Sequence, residues 1–571
     1  MISFLNPVPA LPPYPGPFKV GSVEYEIPVS EISTDGPLPD PRITTVKFRL
    51  FYPTTATAST KQSIPWLPTP QRQWTEAYAS FIGAGPGLSS LLGSLPSLIS
   101  YTTIPAVPNA PLPQQSSPTY PVVVFSHGLG GNDNAYSSVC GSLASCGIVC
   151  AAPEHRDGSA PVSLIRSRTG HETTSIPYQR HSHSPTVEVL NARNAQLRIR
   201  LWELGLLYSV LAGLNAGQTF SNCSASPDQD FPSFQDTLDL RPGRVTWAGH
   251  SFGAATVVQF VKSVYHHQSL PCLKNTPHEN DEHWQPLFTP GNGSLLKQIT
   301  AQSPMALLDL WVMPLRTEST NWLWEKPLPC HDRDPSQSDG QPNVVAVMSS
   351  EFFKWKEMVN WTRAALSARP AEAIQNLEEQ KYDSPSDSEL NPAPSSATDL
   401  STGLSVAVNE IDGDPGASTS PAISAFSSRS SSPSPPSSPA SSTTSLSASI
   451  PPSTPAPTFP PTSHPKLFVV PRSAHLSQSD FGVLFPTLIR YLKNADHPEH
   501  IINLNVRAIL AVMRGSGLDV ARIGVNKSQS QSQAYMPPAG DENDQGQAED
   551  EDEILSGTLL EERWIPVSLT G

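Results

Sequence analysis

The spacing of apolar and polar positions changes several times along the chain, and each change marks an element. Val46-Lys47-Phe48-Arg49-Leu50 alternates with a period of two and predicts a strand over Thr44–Tyr52, with an earlier strand at Lys19–Val29. Pro121–Ser126 (PVVVFS) is a continuous apolar run closed by a glycine turn, the pattern of a parallel strand buried on both faces. Asn134–Gly147 reads as a helix and Ile148–Pro153 as the next strand. In Thr186–Leu214, Leu190, Leu197, Leu201, Leu204 and Leu207 recur at helical intervals among polar residues. Val245–Ala248 is a short strand that runs into a glycine turn and a helix, Ala254–His267. Pro304–Leu310, Asn343–Met348 and Lys466–Val470 are further strands, and a helix is predicted near Phe481–Leu492. Strands alternating with helices give the α/β class, a mostly parallel central sheet flanked by helices.

Three stretches depart from this pattern. Residues 64–108 carry Trp66, Trp74, Tyr78, Phe81 and Ile82 and then Leu88, Leu91, Leu92, Leu95, Leu98 and Ile99, interrupted by glycines and Pro96, which predicts short apolar helices. Packing over the sheet is the plainer role for them; an apolar rim in peripheral contact with a membrane is the sharper one. From about Ser367 to Pro461 the periodicity fails, as in Ser427-Ser428-Arg429-Ser430-Ser431-Ser432-Pro433, and so little apolar surface cannot offset the entropy of ordering. The third is the stretch from Ser528 onward, which includes the acidic run around Glu549–Glu553. The expected organisation is one α/β domain in two parts, 17–366 (with an insertion at about 269–296) and 462–527, separated by a disordered Ser/Pro-rich insertion, 367–461, and followed by a disordered acidic tail, 528–571.

Composition narrows the partners. The chain has 571 residues, 62 of them proline, and a net charge of −15, which argues against nucleic acid, since phosphate binding needs a basic face. None of the six cysteines forms a Cys-x-x-Cys pair, so zinc spacing is absent, and Cys140, Cys146 and Cys150 fall on a predicted helix–strand unit as buried free thiols. Residues 1–17 lack a basic start and a continuous apolar stretch, and no run of about 18 apolar residues occurs, so neither a signal peptide nor a membrane span is expected and the default is a cytoplasmic protein, with peripheral membrane contact left open. No metal or other cofactor is implied.

The chemistry centres on Gly249-His250-Ser251-Phe252-Gly253, between the strand Val245–Ala248 and a helix. A serine on that sharp turn, with small residues on both sides, is the nucleophile elbow of the α/β-hydrolase fold. Serine needs a histidine as base, and the histidine a carboxylate to fix its tautomer. In this fold the order along the chain is serine, acid, histidine. His475, a few residues past the strand Leu467–Val470, is the best base; His464 precedes the strand, and His266 and His267 lie at the far end of a helix. Asp309, which ends Met305-Ala306-Leu307-Leu308, is the best acid, because a carboxylate closing an apolar strand is costly without a partner. A loop aspartate capping a turn is the bland alternative. Phe252 is expected to supply one oxyanion N–H and Leu129, in Phe125-Ser126-His127-Gly128-Leu129-Gly130-Gly131, the other. His127 reads as a histidine that braces this loop.

At these residues the chain resembles the platelet-activating factor acetylhydrolases of the plasma and intracellular lipase-like type. The resemblance is carried by Phe125-Ser126-His127-Gly128-Leu129-Gly130, by Ala151 through Ala160 (AAPEHRDGSA), by Gly249–Gly253 and by Leu308-Asp309-Leu310-Trp311, with Arg193-Asn194-x-Gln196 also matching. The Glu154-His155-Arg156-Asp157 portion is the most specific. The resemblance implies calcium-independent phospholipases A2 that remove short or oxidised acyl chains from the sn-2 position. It also implies a triad of Ser251, Asp309 and His475, oxyanion donors at Leu129 and Phe252, and substrate-pocket aromatics at Trp311 and Phe481. Ala254 departs from the glycine common in the family, and both intervals between triad members are lengthened. Two other functions stay open: a carboxylesterase or lipase for other short-chain esters, and a non-catalytic scaffold on a hydrolase fold.

Overall fold

The computed structural model describes residues 8–33, 36–57, 63–95, 97–113, 119–167, 173–225, 229–269, 284–291, 293–334, 340–383, 464–523, 553–559 and 563–569. Nine strands form the frame: β1 (Lys19–Pro28), β2 (Thr45–Thr54), β3 (Tyr120–Ser126), β4 (Val149–Glu154), β5 (Val245–His250), β6 (Met305–Leu308), β7 (Val344–Ser349), β8 (Lys466–Val470) and β9 (Ile565–Val567). Their order across the sheet is β9-β8-β7-β6-β5-β3-β4-β2-β1, with the two-residue strand Val107–Pro108 outside β1. Strands β3 to β8 are parallel, while β2 runs antiparallel to both β1 and β4 and β9 antiparallel to β8. That order and mix of directions are those of the α/β-hydrolase fold.

The period-two rule explains the layers. Along β3, Val122 and Val124 point into one core, with helices α4 (Val187–Asn215) and α5 (Phe252–Tyr265), while Val123 and Phe125 point into the other, with α3 (Ser137–Ser145) and the helix Pro498–Gly515. Both faces are covered, so every residue of β3 is buried. Strand β2 alternates yet is buried throughout. Its polar face meets protein: Lys47 Nζ lies 2.6 Å from Glu154 Oε2 and 3.2 Å from Asp133 Oδ2, and Arg49 Nη2 lies 2.6 Å from Glu24 Oε2. Alternation marks two different faces, and the polar one has a partner other than water.

Residues 64–108 contain helices α1 (Gln71–Phe81) and α2 (Pro86–Ser94), as their spacing predicts. The expected break at Ser367 needs correction, since a helix continues over Pro370–Asp383 with Ile374 buried. The rest of the expected Ser/Pro insertion, 384–461, lies outside the described residues, as do 462 and 463. The tail expectation also needs correction at its end. Trp564 is fully buried, stacks on Phe468 of β8 at 4.7 Å and donates Nε1–H to the Ile554 carbonyl at 2.7 Å, while β9 adds to the sheet edge. One aromatic anchor and three edge residues suffice there, and so short a segment leaves no periodic signal. Of the insertion at 269–296, residues 270–283 and 292 lie outside the described residues, and Phe288 packs against Phe260 of α5 at 5.3 Å. The helix expected at Phe481–Leu492 is two short ones, Asp480–Leu484 and Pro486–Lys493, divided at the proline. Cys140, Cys146 and Cys150 are buried free thiols.

Candidate active site

Ser251 sits between β5 and α5 with φ 56° and ψ −117°, a left-handed value that a non-glycine residue adopts only when its surroundings impose it. The surroundings are tight. A Cβ on Gly249 would come within 2.5 Å of the Gly253 carbonyl carbon, and one on Gly253 would collide with the Ser126 carbonyl at the end of β3. The elbow is fastened to its neighbours, since Ser251 N donates to the Leu308 carbonyl at 2.8 Å and Trp311 N to the Ser251 carbonyl at 3.4 Å.

Asp309 follows β6 with φ 43° and is fully buried. Its Oδ1 accepts from Ser349 N at 2.6 Å and its Oδ2 from Ser349 Oγ at 2.7 Å, both from the end of β7. His475, beyond β8, brings its Nδ1 to 2.8 Å from Asp309 Oδ2 across 166 residues of sequence. A carboxylate only accepts, so Nδ1 carries the proton and Nε2 is left as the basic nitrogen. Burial alone would raise the Asp309 pKa, but the imidazoles of His250 and His475 outweigh it and hold it down to about 2. His475 is fixed by its N–H donating to Glu351 Oε2 at 2.9 Å and by a stack on Phe352 with centroids 5.2 Å apart.

His250 lies beside this pair, its ring centroid 4.4 Å from that of His475 and its Nε2 3.9 Å from Asp309 Oδ2, beyond hydrogen-bond range. Burial and then the charge of His475 pull its pKa to about 4. Its Nδ1 pairs with Tyr136 Oη at 2.7 Å, and Tyr136 Oη accepts from Gly128 N at 3.2 Å. The His250, Asp309 and His475 ligand atoms all lie within 4.8 Å of one another, a spacing compatible with a metal ion. The His475–Asp309 hydrogen bond and the adjacent elbow fit a proton relay better.

The loop His127–Gly131 faces the elbow. Neither Leu129 N–H nor Phe252 N–H has a partner among the described residues, so both remain available to an oxyanion. His127 braces the loop as expected: its Nδ1 lies 2.8 Å from the Gly128 carbonyl and its Nε2 accepts from His155 N at 3.0 Å, with burial pushing its pKa to about 3. Trp311 is buried, with its ring 5.7 Å from that of Phe252. Phe481 stands apart from this group. Its ring partners are Trp66 at 5.4 Å and Tyr78 at 5.6 Å, beside the outer side of the loop, where Tyr78 Oη accepts from Asn132 Nδ2.

Sequence reasoning did not single out Ser349, Tyr136, His250 or His183 for the site. His183 rests 5.4 Å from Trp311, and burial with the charges of Arg193 and His475 lowers its pKa to about 4. Only Ser349 had a visible signal, as a polar residue closing an apolar strand.

The family described as platelet-activating factor acetylhydrolase, isoform II, matches residues 5–323, more than half of the chain. The chain belongs to this family. The match takes in the loop at Leu129, the elbow and Asp309, while His475 lies beyond it. A Schizosaccharomyces pombe protein provisionally named a phospholipase A2 is 31% identical over 258 residues, 43% of this chain and 58% of the relative. The platelet-activating factor acetylhydrolases of Cavia porcellus and Canis lupus familiaris are 33% and 30% identical over 220 residues, 37% of this chain and 45% of each relative. The chain thus spans about half the length of the curated relatives it matches. A solved ferulic acid esterase from Streptomyces cinnamoneus is similar with a TM-score of 0.38 and 12% identity over 89% of this chain and 92% of that one.

Proposed function

We propose that this family member is a calcium-independent serine esterase that removes the acetyl or short acyl group from the sn-2 position of platelet-activating-factor-like phospholipids. The observation that carries the reading is the 2.8 Å bond from His475 to the buried, ionised Asp309, made beside the strained elbow at Ser251. Ser251 Oγ attacks the ester carbonyl while His475 Nε2 takes its proton, and the N–H groups of Leu129 and Phe252 hold the oxyanion. The proton passes to the leaving lysolipid oxygen as the C–O bond breaks, giving an acyl-enzyme. Water, deprotonated by His475, then attacks that acyl group and releases the acid. Asp309 holds Nδ1–H and balances the imidazolium. Trp311 is assigned to the acyl side of the pocket, and Phe481 to its outer rim with Trp66 and Tyr78.

Peripheral contact with a lipid surface belongs to the same reading. Leu91, Leu92, Leu95, Leu98 and Tyr101 expose between 38% and 66% of their surface, and the neighbouring Phe81 touches the position of Gly130 on the oxyanion loop. Among the described residues no helix is long and apolar enough to cross a membrane.

The test is turnover of a 2-acetyl alkylglycerophosphocholine, without added calcium, by the wild type and by Ser251→Ala. Acetate release that falls by a factor on the order of 10³ or more in the variant is the expected result. Ser251-dependent cleavage of a short aryl ester without any release from the lipid would retire the phospholipid substrate and leave a carboxylesterase. Activity that survives in Ser251→Ala would retire the mechanism.

A further inference from the structure

Two arginines on helix α4, Arg193 and Arg200, are fully buried and both lie against the ring of Phe252, with guanidinium carbons 5.7 and 4.4 Å from its centroid. Seven residues apart is about two helical turns, so they share a face. Their hydrogen bonding differs. Arg200 uses every nitrogen: Nε donates to Asp157 Oδ2 at 2.7 Å, Nη1 to the His127 carbonyl at 2.9 Å and Nη2 to Ser159 Oγ at 2.5 Å. Arg193 donates only from Nη1, to Gln196 Oε1 at 2.6 Å, and its Nε and Nη2 have no partner among the described residues. Among the described residues no carboxylate forms an ion pair with it.

Nε and Nη2 form one edge of the guanidinium, the fork that meets two oxygens of a carboxylate or phosphate in parallel N–H···O bonds. Leaving two such donors buried and unmet is costly. The rings of Trp311 (5.0 Å) and Phe252 offset part of the cost through their π faces, but they do not satisfy the in-plane donors. His181 Nε2 also lacks a partner among the described residues, and His181 is held below its ordinary pKa first by burial and then by the charge of Arg193. The wall on this side is the irregular segment 178–186, whose residues are exposed or half-buried, so admitting a ligand there breaks no core packing.

We propose that Arg193 is the receptor for an anionic oxygen group of the substrate, gripped through Nε and Nη2 against Trp311, one ring away from Ser251. The proposal rests on the reading of Ser251 as the nucleophile. The anion is either a carboxylate ending a short acyl group or the phosphate of the lysolipid portion; both offer the oxygens that the fork needs.

The experiment measures kcat/KM for two matched pairs on the full chain. One pair is mono-4-nitrophenyl glutarate and its neutral methyl ester. The other is 2-acetyl alkylglycerophosphocholine and 1-alkyl-2-acetylglycerol, which lacks the phosphate. The expected result is a preference for the anionic member of at least one pair, reduced on the order of 10- to 100-fold in Arg193→Gln and partly kept in Arg193→Lys. A response confined to the aryl pair identifies the acyl carboxylate as the anion, and one confined to the lipid pair identifies the phosphate. Unchanged ratios in both variants for both pairs overturn the proposal. Should Arg193→Gln fail to fold, a wild type that prefers the neutral member of both pairs overturns it equally. Ser251→Ala on the neutral aryl ester reports separately on the nucleophile, so the two readings fail independently.

Discussion

The molecule contains two serine–histidine–acid arrangements, and the proposed reaction belongs to only one of them. Ser251, Asp309 and His475 follow the carboxyl ends of β5, β6 and β8, with His475 bonded to Asp309. Ser126, His155 and Glu203 make a similar chain beneath the oxyanion loop: Ser126 Oγ lies 2.8 Å from His155 Nε2, and His155 Nδ1 lies 2.8 Å from Glu203 Oε2. The difference is electrical. Asp309 is held down to about 2 by two imidazoles, whereas burial raises Glu203 to about 8 against the lowering effect of Arg156. Burial favours the protonated form of Glu203, in which the carboxyl donates to His155 Nδ1, so that His155 Nε2 carries a hydrogen and offers Ser126 no base. His155 itself is held well below its ordinary pKa by burial and then by the Arg200 charge. Ser126 is at 0% exposure and Ser251 at 5%, on a turn that faces two free N–H groups. Three residue types in a row are therefore not a catalytic site; an ionised acid, a free basic nitrogen and oxyanion donors are what separate the two.

The largest expected contrast is between the serines. Ser251→Ala should lower kcat on the order of 10⁶-fold, whereas Ser126→Ala should retain turnover and lose about 1–3 kcal/mol of stability by leaving the His155 donor unmet. Denaturant titration beside steady-state kinetics separates the two effects, and a Ser126→Ala variant as inactive as Ser251→Ala would break the comparison. The acids come next. Asp309→Asn should cost on the order of 10⁴-fold in kcat, because an amide favours the wrong imidazole tautomer. Glu203→Gln replaces a neutral acid by a neutral amide and should change kcat by less than about tenfold. Ser349→Ala sharpens the account of Asp309: losing the Oγ donor should lower kcat by roughly tenfold with KM little changed.

The last contrast is in stability against pH. Glu203 has a folded pKa raised to about 8 from an ordinary 4.5, so its contribution is fully present below about 4.5 and declines as pH rises towards 8. Glu203→Gln removes that decline. Denaturation midpoints at pH 5, 6.5 and 8 should therefore shift progressively in the variant's favour; parallel curves would mean that Glu203 is ionised in the folded state.

Much of the frame was legible along the chain. The runs at Pro121–Ser126 and Val245–Ala248, the glycines at 249 and 253 and the order of Ser251, Asp309 and His475 are local signals, because strand burial and the elbow's backbone angles act on neighbouring residues. The helix Pro498–Gly515 and the edge strand at Ile565 were not read. The first is apolar on one face, but nothing local told which layer it covers, and the second is three residues long. The packing of Phe481 against Trp66 and Tyr78 was also invisible.

The sequence by itself determined the α/β class and the elbow and named the candidates for nucleophile, acid and base, since each depends on residue type and short-range spacing. Only the tertiary structure decided which histidine meets which acid, which carboxyl keeps its proton, and that Arg200 is saturated while Arg193 is not. Those properties depend on burial and on charges brought together from distant segments, and the dielectric around a group is a property of the packed molecule rather than of its neighbours in the chain.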